Sequence, residues 1–259
     1  MQLKEISRYW TSGAAAYDKV VRSQVRSRRT VRMWKELLQE GLTARSGQKV
    51  LDVGTGPGFF SLLLAQMGHR PTAVDASPGM VETAARNFKE AGADVRVYEG
   101  DAANLPQEED DTYDAVVCRD VVWTLPDPVG AYREWFRLLK PGGRLIVFDG
   151  NYLFERPSGL KYRLWYALAW TLILLTERRV RQRTDETEPS LKELPFVRVL
   201  RPEADEETLR GIGYHVEEIR RNYMSGYKRT LQHIKYGHLT GVRFRIIASK
   251  PVGTGRERV

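Results

Sequence analysis

The chain has 259 residues, 42% of them hydrophobic, which is the length of one large domain or of a domain with an added lid and the composition of a globular protein. One cysteine, Cys118, excludes an internal disulfide framework and suits a reducing cytoplasm, where it reads as a small core residue. The net charge is +8, and the four histidines show no zinc-ligand spacing, so no metal site is legible.

In chain order, residues 1–45 read as a helical preface. Its start, Met1-Gln2-Leu3-Lys4-Glu5, carries an acid and no apolar stretch, unlike a secretory signal. Arg22, Arg26 and Arg29 fall at i, i+4 and i+7, on one helical face. Such a face suits nucleic acid, a membrane surface or an anionic small substrate, or is merely solvated.

Lys49 to Val53 reads as a buried strand that runs into Gly54-Thr55-Gly56-Pro57-Gly58 and then into an apolar helix from Phe59 to Met67. Strand, glycine turn and helix open a nucleotide-binding α/β domain, where glycine allows positive φ and close approach of a ligand to the backbone. A dinucleotide fingerprint needs glycine at position 59, which is Phe59. Thr72 to Asp75 is a second strand, ending in a carboxylate 19 positions after Gly56. That is close to the roughly 20-residue spacing at which an acid meets a ribose hydroxyl. An ionised carboxylate accepts from two vicinal hydroxyls. Ser77, with Pro78 behind it, is the better cap for the next helix, which leaves Asp75 free for a ligand.

A third strand, Val95 to Glu99, leads to a turn at Gly100-Asp101-Ala102. The fourth, Ala115 to Cys118, suits a central parallel strand buried on both faces. Ligands in open α/β sheets bind outside the carboxyl ends of strands, so the residues from Cys118 to Trp123, Arg119 and Asp120 among them, are expected to face the crevice. After a helix stopped by Pro141-Gly142-Gly143, a fifth strand runs from Arg144 to Asp149 and brings Asn151 and Tyr152 within reach of a substrate.

Leu160 to Leu175 is a helix, apolar nearly all round, and must be buried or sit at an interface. It is too short to cross a bilayer, which takes about 20 residues. The reading is a lid with Trp165, Tyr166 or Trp170 toward the substrate. The alternatives are a homodimer contact through this helix, or peripheral membrane contact beside Arg178, Arg179, Arg181 and Arg183. Residues 202–212 form a helix, and Tyr214 to Ile219 and Arg243 to Ser249 the last two strands. The tail from Gly253 to Val259 is expected to fray. Strands alternating with helices argue a mostly parallel sheet with helices on both faces.

Asp52 followed by glycines 54, 56 and 58, Asp75, Gly100-Asp101, the run from Tyr113, and Leu139-Lys140-Pro141-Gly142-Gly143-Arg144-Leu145 together resemble the class I S-adenosylmethionine-dependent methyltransferases. The small-molecule branch that includes ubiquinone and menaquinone methyltransferases is the most similar. The resemblance covers residues 45–150. It implies a Rossmann-like seven-stranded α/β sheet with an antiparallel last strand, divided as preface 1–45, cofactor half 46–150, helical lid insertion 151–200, and 201–259 completing the domain.

It also implies S-adenosylmethionine as cofactor, held by Asp52, Gly54, Thr55, Gly56, Asp75, Ala76, Met80, Asp101, Ala102 and Arg119. Asp101 would accept from the adenine amino group and Ala102 donate to the ring. The preface, with Trp10, Ala14 to Ala16 and Tyr17-Asp18, resembles an opening that folds over the cofactor, so Tyr17 joins that set. Tyr9, Trp123, Asn151, Trp165 and Tyr166 are the substrate-side candidates, and Tyr152 and Asp120 the catalytic ones.

The expected reaction is methyl transfer to a small-molecule acceptor. Cyclisation or lysis of the cofactor with release of methylthioadenosine, and methylation of a lipophilic quinone or lipid at a membrane surface, are the alternatives. The Asn/Asp-Pro-Pro-Tyr/Phe signature of base methylation is absent after the fourth strand, where Arg119-Asp120-Val121-Val122 stands, so nucleic acid is not an expected partner.

Overall fold

The computed structural model describes residues 3–152, 159–177, 189–223, 234–235 and 243–252. The arginines at 178–183 and the tail from Gly253 lie outside the described residues.

Seven strands form one sheet: β1 (Lys49–Val53), β2 (Arg70–Asp75), β3 (Arg96–Glu99), β4 (Tyr113–Arg119), β5 (Leu139–Gly150), β6 (His215–Arg221) and β7 (Arg243–Ser249), in the order β3-β2-β1-β4-β5-β7-β6. The pairings among β1 to β5 are parallel, and β7 runs antiparallel to both β5 and β6. The expected Rossmann-like sheet with an antiparallel last strand is the one observed. Helices α1 (Leu3–Arg26), α2 (Arg28–Gly41), α3 (Phe59–Gln66), α4 (Pro78–Ala91), α5 (Pro128–Leu138), α6 (Leu160–Glu177) and α7 (Glu203–Ile212) complete it.

Both faces of the sheet are buried, and the strand period shows how. In β4, Ala115 and Val117 belong to one core cluster and Val116 and Cys118 to another; in β5, Ile146 and Phe148 alternate in the same way with Leu145 and Val147. Trp34, Leu38, Phe59 and Leu63 of α2 and α3 cover the first face. Tyr132, Trp135 and Leu209 of α5 and α7 cover the second.

Three local readings change. The chain breaks between α1 and α2 at Ser27, whose hydroxyl accepts from Thr30 N and caps α2. Arg22 and Arg26 are therefore not on one helix with Arg29. Arg22 is taken up by Asp18 (3.0 Å), Asn87 (2.8 Å) and Glu90 (2.8 Å). Pro141-Gly142-Gly143 does not precede β5 but is absorbed into it: Tyr113 pairs with Leu139 and Ala115 with Arg144, with a register shift between them. Helix α6 is not buried all round. Ala169 and Ile173 are buried, while its leucines from Leu160 to Leu175 are largely exposed.

Candidate functional site

A cavity open at its mouth lies at the carboxyl ends of β1, β2 and β4, where Val53, Asp75 and Arg119 line it. Its floor is the glycine loop. Gly54 and Gly56 hold φ of +64° and +54°, a region that strains any residue with a Cβ. At Gly54 a Cβ would also sit 2.3 Å from Val121, whereas at Gly56 it would meet nothing within 4 Å. Gly54 is therefore fixed by packing, and Gly56 presents bare backbone to open space.

Two carboxylates brace this loop. Asp52 is buried, and its Oδ2 accepts from Thr55 Oγ1 (2.7 Å), Ser61 N (3.0 Å) and Ser61 Oγ (2.7 Å). Burial pushes the Asp52 carboxyl up, against those hydrogen bonds. Asp75 accepts from Gly56 N through Oδ2 and from Ser77 N through Oδ1, both 2.9 Å. The expectation that Asp75 stands free is corrected: it leaves the helix cap to Ser77, which accepts from Met80 N, but it tethers the glycine loop to α4. Burial raises its carboxyl to about 6, against the two backbone donors.

At the end of β4, Arg119 lays its guanidinium over the rings of Phe59 (4.7 Å), Phe60 (5.2 Å) and Trp34 (5.2 Å). Its nearest carboxylate is Asp120, at the 4.0 Å limit of an ion pair. Asp120 holds φ of +59°, strained for a residue with a side chain. Its backbone is pinned on both sides, its N–H donating to Phe148 O (2.8 Å) and its carbonyl accepting from Trp123 Nε1 (3.0 Å). The Tyr152 hydroxyl donates to Asp120 Oδ1, so the two residues singled out as catalytic do meet. Burial, then Asp120 beside it, hold the Tyr152 phenol well above its usual range. Tyr17 reaches the cavity from α1, where the residue is 46% exposed at the mouth.

Of the other expected residues, Thr55, Ala76, Met80 and Ala102 line the cavity, and Asp101 turns aside to accept from Ala103 N (3.0 Å). The substrate-side set does not assemble there. Tyr9 and Trp123 pack on a satellite cluster of Ile6, Leu191, Leu194 and Val197. Asn151 is buried, donating from Nδ2 to Arg201 O (2.5 Å) and accepting at Oδ1 from Arg201 N (3.2 Å), which makes it a brace rather than a contact surface. Trp165 donates to Ile234 O (2.8 Å), Tyr166 stacks on Tyr162 at 5.9 Å, and α6 supplies no residue to the cavity wall.

Sequence reasoning missed Leu3, Ile6 and Val21, which line the cavity from α1 together with Trp10 and Tyr17. Their spacing (3, 6, 10, 17, 21) is one helical stripe and carried the signal. Val121 lines the cavity as expected of the run from Cys118 to Trp123, while Leu125 and Pro126, further along, were missed. Among the described residues, no group of three or more His, Cys, Asp or Glu could hold a metal ion.

Residues 51–147 match the family described as a methyltransferase domain. The matched stretch runs from within β1 to within β5, under half of the chain. A ubiquinone biosynthesis O-methyltransferase of Xanthomonas oryzae pv. oryzae is 36% identical over 106 residues, 41% of this chain and 44% of that protein. The chain thus matches under half the length of these curated relatives. A SAM dependent methyltransferase from Aquifex aeolicus superposes with a TM-score of 0.58 at 18% identity, over 90% of this chain and 98% of that one. The (4+2)-cyclase SpnF gives 0.58 at 22% identity, over 86% and 82%. At those identities the likeness is one of fold. The matched residues contain the glycine loop, Asp75 and β4, while α1 and α6 lie outside them.

Proposed function

We propose that this chain transfers the methyl group of S-adenosylmethionine to a small-molecule acceptor. The observation that carries the reading is the cavity at the carboxyl ends of β1, β2 and β4, floored by bare backbone at Gly56 and edged by Asp75. These residues fit the cofactor. Each oxygen of Asp75 accepts one backbone N–H and keeps a further lone pair, enough for two ribose hydroxyls. Val74, Met80 and Ala102 give an apolar slot for adenine.

When bound, the cofactor supplies a methyl made electrophilic by its sulfonium. The tasks left to the protein are alignment and exclusion of water. Ile6, Trp10 and Tyr17 cover the cavity from above. Asp120, held in its strained conformation, is placed to take a proton from an acceptor hydroxyl, and the Tyr152 hydroxyl orients its other oxygen. The Xanthomonas relative, named for O-methylation, favours a hydroxyl-bearing acceptor.

The test is calorimetry with S-adenosylmethionine, followed by mass spectrometry of products in the presence of cell extract. Binding and S-adenosylhomocysteine are expected. No binding would overturn the reading, and methylthioadenosine would replace methyl transfer with cyclisation or lysis.

A further inference from the structure

Helix α6 turns its most apolar face outward. Leu160, Leu164, Leu168, Leu174 and Leu175 are 70%, 63%, 52%, 49% and 72% exposed. At 3.6 residues per turn these five, with Ala167 and Thr171, fall within one arc of about 120°. The fully buried strip is narrower. Ala169 and Ile173 are buried one turn apart, flanked by the half-buried rings of Tyr162, Trp165, Tyr166 and Trp170. Exposed Arg163 and Lys161 stand at the two edges of the leucine arc. From Leu160 to Thr176 the helix has no acidic residue.

We propose that α6 is a membrane-docking helix that lays its leucine face into the surface of a bilayer with anionic phosphate headgroups. An apolar arc bordered by cations is the pattern of a helix lying at the boundary between headgroups and acyl chains. The leucines enter the acyl layer, and the lysine and arginine stems reach back to the phosphates. The net charge of +8 adds attraction to such a surface. The helix lies on the bilayer rather than crossing it, since no helix among the described residues is long and apolar enough to cross a membrane.

A second copy of the chain fits this face less well. Packing two such faces together sets the positive edges of both helices side by side, with no carboxylate from Leu160 to Thr176 to answer them. The proposal does not depend on methyl transfer.

The test is co-sedimentation of the full chain with vesicles of phosphatidylcholine alone and of phosphatidylcholine mixed with phosphatidylglycerol, at low and high salt. The anionic vesicles should bind on the order of tenfold more tightly, and salt should weaken that binding. The double variant Leu164→Glu with Leu168→Glu should lose it while keeping its circular dichroism spectrum and unfolding midpoint, because both side chains are exposed. Lys161→Gln with Arg163→Gln should lose the salt-sensitive part, and it reads the proposal independently if the glutamates disturb folding. Absence of binding to any vesicle, or binding that both variants retain, would overturn the proposal. So would a dimer that the glutamates dissociate while vesicles are ignored, because a second copy would then be what covers the face.

Discussion

Asp75 combines two duties, and its ionisation links them. Its carboxyl holds the glycine loop through Gly56 N and faces the cavity, with its ionisation raised from 3.8 to about 6 by burial. Only the ionised form offers acceptors on both oxygens to a ribose. Affinity for S-adenosylmethionine should therefore fall about tenfold between pH of about 7.5 and about 5, as the carboxyl takes up its proton. Calorimetry across that range checks this, and a flat profile would remove Asp75 from the ribose. Asp120 separates binding from chemistry. Asp120→Asn keeps the shape and removes the proton acceptor, so kcat on a hydroxyl acceptor should fall by about 10²–10⁴ with cofactor affinity unchanged. Equal losses in both would mean that the residue shapes the cavity instead. The sequence revealed the acids because glycine spacing and strand ends point to them. It singled out Asn151 and Trp123 but hid their partners, Arg201 and Asp149, which come from distant segments.

Helix α1 roofs the cavity, and a polar clamp fastens it to α4. Asp18 accepts from Arg22 (3.0 Å), Arg86 (2.9 Å) and Asn87 (2.8 Å), and Thr11 meets Ser77 at 2.9 Å. Although burial acts to raise it, the hydrogen bonds from Asn87 and Arg22 hold the Asp18 carboxyl below its ordinary 3.8. A depressed value contributes stability above the unfolded-state value and loses it as pH falls through the folded one. Asp18→Asn should therefore cost about 1 kcal/mol near neutral pH, a figure kept low because the arginines are partly solvated. The difference should narrow as pH is lowered toward 3.8 and below. Urea unfolding at several pH values measures it, and a pH-independent difference would assign the loss to packing. The strands of the domain were legible because a run buried on both faces leaves a continuous apolar signature, as in Ala115 to Cys118. The break at Ser27 left only a short capping signal, and the absorption of Pro141-Gly142-Gly143 into β5 depends on pairing with Tyr113, which no local pattern encodes.

The whole molecule is closed by a buried ionic cluster that joins its C-terminal third to the sheet. Arg201, fully buried, donates to Asp205 through Nε and Nη2 (2.7 Å each) and to Asp149 through Nη1 (3.0 Å). Tyr132 of α5 donates to Asp205 Oδ1 (2.5 Å), and Asn151 holds the Arg201 backbone from the end of β5. Rings of Phe196 and Phe244 lie 5.2 Å and 5.1 Å from the guanidinium. Such a cluster adds little over an apolar core of equal volume, but removing its one cation strands two carboxylates in a medium that cannot solvate them. Arg201→Met should therefore destabilise by about 3–5 kcal/mol near neutral pH. Burial raises Asp149 to about 6 even with Arg201 in place, so the folded state binds its proton more tightly than the unfolded state does. For a raised carboxyl, its favourable contribution is complete below the unfolded value near 3.8 and is lost as pH climbs through about 6. Without the arginine, that window moves upward. The variant should then recover part of its deficit when the pH is lowered from about 7 to about 5. Unfolding midpoints of the two proteins at both pH values decide it: a deficit that stays constant or widens on acidification would show that Arg201 stabilises through its stacking on Phe196 and Phe244 and not through its charge.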